Sequence, residues 1–203
     1  MFSIKFGLLL LAIVLTFDSS YGVKVAQGNN KDFTPYWLKK YKKFFDIFDV
    51  NKDGNVTKEE YIDLSTERAA LPSWRAKAVY GAMTMGFQTW WSNEYTNYKT
   101  SIVFEDWVKS EENVVGFTSD LVVEWALDVF HIVDLDCSEE LTLNEYSKFL
   151  DIFRNTADNK VIFSAIDSDG DNVIDAKEFT YAVKDYTYDQ AAKSAAYIFG
   201  SRD

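Results

Sequence analysis

Three stretches of twelve residues place oxygen-bearing side chains at the same spacing. They are Asp49–Glu60 (DVNKDGNVTKEE), Asp134–Glu145 (DLDCSEELTLNE) and Asp167–Glu178 (DSDGDNVIDAKE). Each opens on Asp, closes on Glu, and carries an apolar residue at its eighth place. Carboxylates this close repel one another unless a cation gathers them. A hard divalent ion such as Ca²⁺ accepts about 6–8 oxygen ligands in flexible geometry, from places 1, 3, 5, 7 (a backbone carbonyl), 9 and a bidentate Glu at 12. One match could be accidental. Three matches, each flanked by helical patterning, imply a chain of helix–loop–helix units that bind calcium.

The first loop fits best. Asp49, Asn51 and Asp53 hold places 1, 3 and 5, Asn55 offers its carbonyl, Thr57 can hold a water, and Glu60 closes the cage. Gly54 occupies place 6, where the turn favours positive φ. The last loop is the most acidic, with Asp167, Asp169, Asp171, Asp175 and Glu178, the Val173 carbonyl at place 7, and Asn172 at place 6. Asn is the next best residue for a left-handed turn. The remaining loop uses Asp134, Asp136, Ser138, the Glu140 carbonyl, Thr142 and Glu145. Its place 6 is Glu139, which costs about 1–2 kcal/mol in a left-handed conformation and is expected to weaken the site. A degenerate, structural loop is the alternative there.

Loops of this kind pair back to back, so a fourth is expected between residues 61 and 133. Placing Ile102 at place 8 frames Tyr95–Asp106 (YTNYKTSIVFED). Tyr95 at place 1 and Lys99 at place 5 cannot replace two carboxylates, so this loop is expected not to bind calcium. Its task is structural, with Ile102 pairing with Val56.

The rest of the chain reads as nearly all helical. Thr34 caps and Pro35 opens a helix through Phe48, with Tyr41, Phe44, Phe45 and Phe48 spaced to face a core. Further helices are predicted at about 58–69, 73–93, 104–112, 119–133, 143–153, 158–166 and 176–185. The only strands expected are the short loop pairs. Val114–Ser119 divides two lobes, 23–117 and 118–203. A net charge of −11 is no signature of nucleic-acid binding. Three bound divalent ions would offset about six of those charges, so folding and metal binding are expected to be coupled.

The N-terminus bears on location. One cation in Met1–Lys5 precedes the apolar run Phe6–Phe17, and Ser20-Tyr21-Gly22 puts small residues at a plausible cut. This resembles a secretory signal peptide over residues 1–22, with an uncleaved anchor and a buried helix as alternatives. No second segment is long and apolar enough to span a bilayer, so none is expected once the signal is removed. The single cysteine, Cys137, excludes an intramolecular disulfide. Asn55-Val56-Thr57 is a glycosylation sequon inside the first loop.

With four loops starting at 49, 95, 134 and 167, a silent second loop and a C-terminal segment Ala195–Gly200 (AAYIFG), the chain resembles the sarcoplasmic calcium-binding proteins. Calexcitin, the luciferin-binding proteins and the calcium-regulated photoproteins are kin of that EF-hand family. The resemblance covers about residues 33–200. It implies an all-α fold of four EF-hands in two lobes packed as one compact globule, with the tail over them. The apparent signal peptide departs from that mostly cytosolic family.

Three functions follow. The first is a calcium buffer or store in the secretory pathway or outside the cell, a monomer with three Ca²⁺ sites at which Mg²⁺ competes. The second is a carrier of a small apolar ligand. Six Trp, 12 Tyr and 16 Phe supply walls, with Trp74, Phe87, Trp90, Trp91, Trp107 and Trp125 as candidates against plain core packing. The third is a sensor with a protein partner, for which three Met give little groove material. The photoproteins use several His around their substrate, and this chain has only His131. No nucleophile–His–acid set, CxxC or phosphate loop points to an enzyme.

Overall fold

Thr34 starts the first helix as its sequence implies. Its hydroxyl accepts the Trp37 amide at 3.2 Å, and Pro35 takes the first turn, where its missing N–H costs nothing. The computed structural model describes residues 33–114, 119–155, 158–188 and 198–199. The leader with its cut at Gly22, the lead 23–32 and the inter-lobe link 115–118 lie outside the described residues.

The helices are α1 Pro35–Phe48, α2 Leu64–Ala69, α3 Ser73–Gly86, α4 Phe104–Val114, α5 Ser119–Val133, α6 Leu143–Ile152, α7 Asn159–Ile166 and α8 Ala176–Tyr188. Two π-wound turns extend them: Glu59–Asp63 leads into α2, and Phe87–Trp91 continues α3. The predicted helix boundaries hold to within a few residues. What periodicity does not reveal is the π winding, which local sequence barely encodes.

The strands are β1 Asn55–Thr57, β2 Ser101–Val103, β3 Glu140–Leu141 and β4 Ile174–Asp175. They form two antiparallel pairs that tie the loops together two by two. Val56 pairs with Ile102, and Leu141 with Ile174, so the eighth residues of partner loops face each other. All four of these side chains are buried.

The two lobes pack into one all-α globule. On α1, Tyr41, Phe45 and Phe48 are buried, while Phe44 is partly buried against the same core. From α1 the Trp37 indole and the Tyr41 hydroxyl both donate to the Thr187 carbonyl of α8. The Trp125 indole of α5 donates to the Ala82 carbonyl of α3 at 3.1 Å. Gly86 permits this approach, since a Cβ there would lie 3.0 Å from the Tyr61 hydroxyl and 3.3 Å from the Trp125 indole nitrogen. Of the C-terminal segment, Ile198 and Phe199 are described, and both are buried. Phe199 meets Phe44 of one lobe and Phe149 and Phe153 of the other.

Candidate calcium sites and a central aromatic cavity

The three acidic loops are built on one hydrogen-bond plan. At place 1, Asp49 accepts the amides of Asp53 and Gly54 at 3.1 and 3.0 Å. Asp134 accepts those of Ser138 and Glu139, both at 3.1 Å. Asp167 accepts those of Gly170 and Asn172 at 2.8 and 3.1 Å. At place 3, Asn51, Asp136 and Asp169 each accept the amide two residues on, at 2.9, 3.1 and 3.2 Å. At place 5, the carboxylates of Asp53 and Asp171 accept the amides of Asn55 and Val173. Ser138 instead donates its hydroxyl to the Glu140 carbonyl.

The closing glutamates are oriented from two sides. Glu60 accepts the Val50 amide at 3.1 Å on one oxygen and the Thr57 amide and hydroxyl at 3.0 and 2.9 Å on the other. Glu145 does the same with Leu135 and Thr142, whereas Glu178 accepts the Ser168 amide and hydroxyl on one oxygen and the Asp175 amide on the other. These bonds stretch each Glu across the mouth of its loop.

Electrostatics follow the bonding. The Asn55 amide holds the exposed Asp53 carboxyl below its ordinary range. Ser138, by its side chain and its amide together, does the same for Asp136. At Glu145 burial pushes upward but is outweighed by the Thr142 hydroxyl and three backbone amides, so its carboxyl is lowered. Oxygens of Asp134, Asp136 and Glu145 lie within 4.8 Å of one another, as do those of Asp167, Asp169 and Asp171. Hard oxygen donors converging at such separations suit a hard divalent ion.

Place 6 takes the left-handed conformation in all three loops, at φ 86° for Gly54, 67° for Glu139 and 72° for Asn172. The strain expected at Glu139 is therefore present, and the loop keeps its plan despite it. The fourth loop takes the structural place that its sequence implies. It pairs through β2, and the Lys99 ammonium at place 5 forms an ion pair with Asp106 at place 12. The closing carboxylate of this loop is thus paired with a tethered cation.

A feature not read from the sequence is Arg75 of α3, which is 3% exposed. Its guanidinium donates to the carbonyls of His131, Ile132 and Leu135 at 3.1, 2.6 and 3.2 Å, and lies 3.8 Å from the Cys137 sulfur. The first two carbonyls belong to the last turn of α5, which has no intrahelical donors left. The third is place 2 of the loop itself. Arg75 thus fastens the N-terminal lobe to the entrance of the loop at 134–145.

Between the lobes lies a cavity of about 60 Å³, with walls that include Tyr41, Tyr61, Trp91, Trp107, Trp125 and Glu111. Trp91 and Trp107 stack at 4.3 Å. Of the aromatic candidates, Trp90, Trp91, Trp107 and Trp125 line it. Trp74 does not: it is 58% exposed, with its ring under the Arg75 guanidinium. Phe87 is buried but stands behind the wall, against Tyr61. His131 is exposed and lies outside the cavity. Glu111 could have been found, since Phe104, Trp107, Val108 and Glu111 fall on one helical stripe.

Residues 42–65 and 160–180 match the EF hand family. The chain is a calcium-binding EF-hand protein. It is 28% identical over 182 residues to obelin from Obelia longissima, covering 80% of this chain and 88% of obelin. Its fold is that of the sarcoplasmic calcium-binding protein from amphioxus (TM-score 0.60, 17% identity, covering 85% of this chain and all of the other). It is also that of the coelenterazine-binding protein from Renilla muelleri (TM-score 0.59, 18% identity, 82% and 96% covered). No helix among the described residues is long and apolar enough to cross a membrane.

Proposed function

We propose that this EF-hand protein is a non-catalytic calcium buffer or store of the secretory pathway or extracellular space, monomeric, holding three Ca²⁺ with Mg²⁺ as a competitor. The observation that carries the reading is the shared hydrogen-bond plan of the three acidic loops. In each, the place-1 carboxylate and the closing Glu are already fixed by backbone amides. The ligands would be Asp49, Asn51, Asp53, the Asn55 carbonyl and Glu60; Asp134, Asp136, Ser138, the Glu140 carbonyl and Glu145; and Asp167, Asp169, Asp171, the Val173 carbonyl and Glu178. Bound calcium would supply the positive charge that holds these oxygens together. A sensor would need an apolar groove that opens for a partner helix. Here Phe44 of the N-terminal lobe packs on Phe153 and Phe199, which favours storage over sensing. The test is a Ca²⁺ titration of residues 23–203 in millimolar Mg²⁺, with N-terminal sequencing of the native protein. Three sites and a start at Val23 are expected; a chain beginning at Met1 would remove the secretory half of the proposal.

A second reading, carriage of a small ligand, is favoured by the cavity and its buried carboxyl. The coelenterazine-binding protein, similar in fold, lends it support.

A further inference from the structure

The central cavity carries one acid among π faces. Glu111 is 3% exposed, and among the described residues that line the cavity it is the only carboxyl. Trp107, one helical turn earlier on α4, donates its indole N–H to Glu111 Oε1 at 3.1 Å. Burial pushes the carboxyl up to about 8 against the pull of that bond, so at neutral pH it keeps its proton. The titratable groups that share its cavity are the phenols of Tyr41 from α1, Tyr61 from the turn after the first loop and Tyr186 from α8. Burial raises all three, so none supplies a countercharge. An ionised carboxyl in such a place costs several kcal/mol unless it is paired, and a leucine would fill the space without that penalty.

We propose that this cavity is a site for a small organic ammonium ion, its charged head against Glu111 and its alkyl groups against the faces of Trp91, Trp107 and Tyr41. This rests on the small-ligand reading above and names the class of ligand. Two features converge on it. Aromatic faces attract a desolvated ammonium by about 2 kcal/mol or more; Trp91 and Trp107 cover one face of each other at 4.3 Å, and what they offer beside the acid is the surface with which each lines the cavity. The carboxyl offers the countercharge that no other wall group has. On binding, the Glu111 proton leaves for solvent, and the ammonium replaces it, so the cavity stays neutral overall. A neutral alcohol of equal size displaces no proton. The volume of about 60 Å³ sets the size. A cavity of about 150 Å³ takes benzene, so this one admits a head group of a few heavy atoms.

The test uses the full mature chain saturated with calcium. Ethylammonium is titrated against ethanol at matched ionic strength, following the Trp107 indole N–H by NMR and proton release by pH electrode in weak buffer. Ethylammonium is expected to shift the Trp107 resonance saturably and release about one proton per bound ion near pH 7. Glu111→Gln is expected to weaken it at least tenfold with calcium stoichiometry unchanged. Should that variant fail to fold, proton release by the wild type still decides. If ethanol binds as well as ethylammonium without proton release, the ammonium proposal falls and a neutral-ligand carrier stands. If neither binds, both fall, while the calcium sites are untouched.

Discussion

Arg75→Met removes the tie between α3 and the loop at 134–145 while keeping most of the side chain's bulk. The guanidinium makes three hydrogen bonds to carbonyls, and a hydrogen bond to a charged group contributes about 1.5–3 kcal/mol. Those bonds therefore set a ceiling of roughly 5–9 kcal/mol on the cost, before water replaces them at the partly exposed His131 and Leu135 carbonyls. Only part of this reaches the metal, because the Leu135 carbonyl alone lies inside the loop. A share of about 1.4 kcal/mol corresponds to tenfold weaker calcium binding at this loop. The assay is a double-mutant cycle with Glu145→Gln, following calcium affinity by titration and folding by near-UV circular dichroism. The two substitutions should be non-additive, since both act on one loop. Arg75→Lys, with a point charge in place of a planar fork, should recover part of the loss. An Arg75→Met protein that is folded and binds calcium at this loop within twofold of the wild type would refute the coupling.

Glu111 makes stability depend on pH. Its carboxyl stands at about 8 folded against an ordinary 4.5, so the folded state holds a proton that the unfolded state releases between those values. Stability from this group is full below the lower value, declines as pH rises through the window, and levels off above it, a span of about 5 kcal/mol at most. Glu111→Gln should flatten that slope in denaturant titrations at saturating calcium between pH 5 and 8. An unchanged slope would remove the buried-acid assignment. Glu178→Gln should abolish binding at the last loop, because one of two closing oxygens and a charge are lost; unchanged stoichiometry would overturn the framing of that loop. Lys99→Ala breaks a partly exposed ion pair and should cost less than about 1 kcal/mol by thermal melt without creating a calcium site.

The loops were legible because their chemistry is local. Ligand, turn and closing residue sit within twelve positions, and the spacing that binds a cation is the spacing that can be read. Thr34, Pro35 and the Val56–Ile102 pairing followed from rules of similar range. Arg75 could not be read, because its partners lie 56 to 60 residues away and its own helix gives no hint of which carbonyls it will meet. Trp74 was misplaced for the converse reason. Its neighbours in sequence suggest a wall residue, but the start of α3 turns its ring toward solvent and the guanidinium beside it. The π-wound turn Phe87–Trp91 brings Trp91 onto Trp107, a contact that ordinary helical periodicity does not anticipate. The strain at Glu139 was foreseen, and the loop keeps its bonding despite it, with Thr142 and Glu145 tied to each other.

The central claim is that three loops bind calcium and the fourth does not. It is met most directly by counting: equilibrium dialysis of residues 23–203 with radioactive Ca²⁺ in millimolar Mg²⁺. A plateau at three ions per chain is expected, falling to two in Glu60→Gln, Glu145→Gln or Glu178→Gln. A plateau at four would mean that the Lys99–Asp106 pair does not silence the second loop. A plateau at one or two would mean that a loop with the full hydrogen-bond plan does not bind.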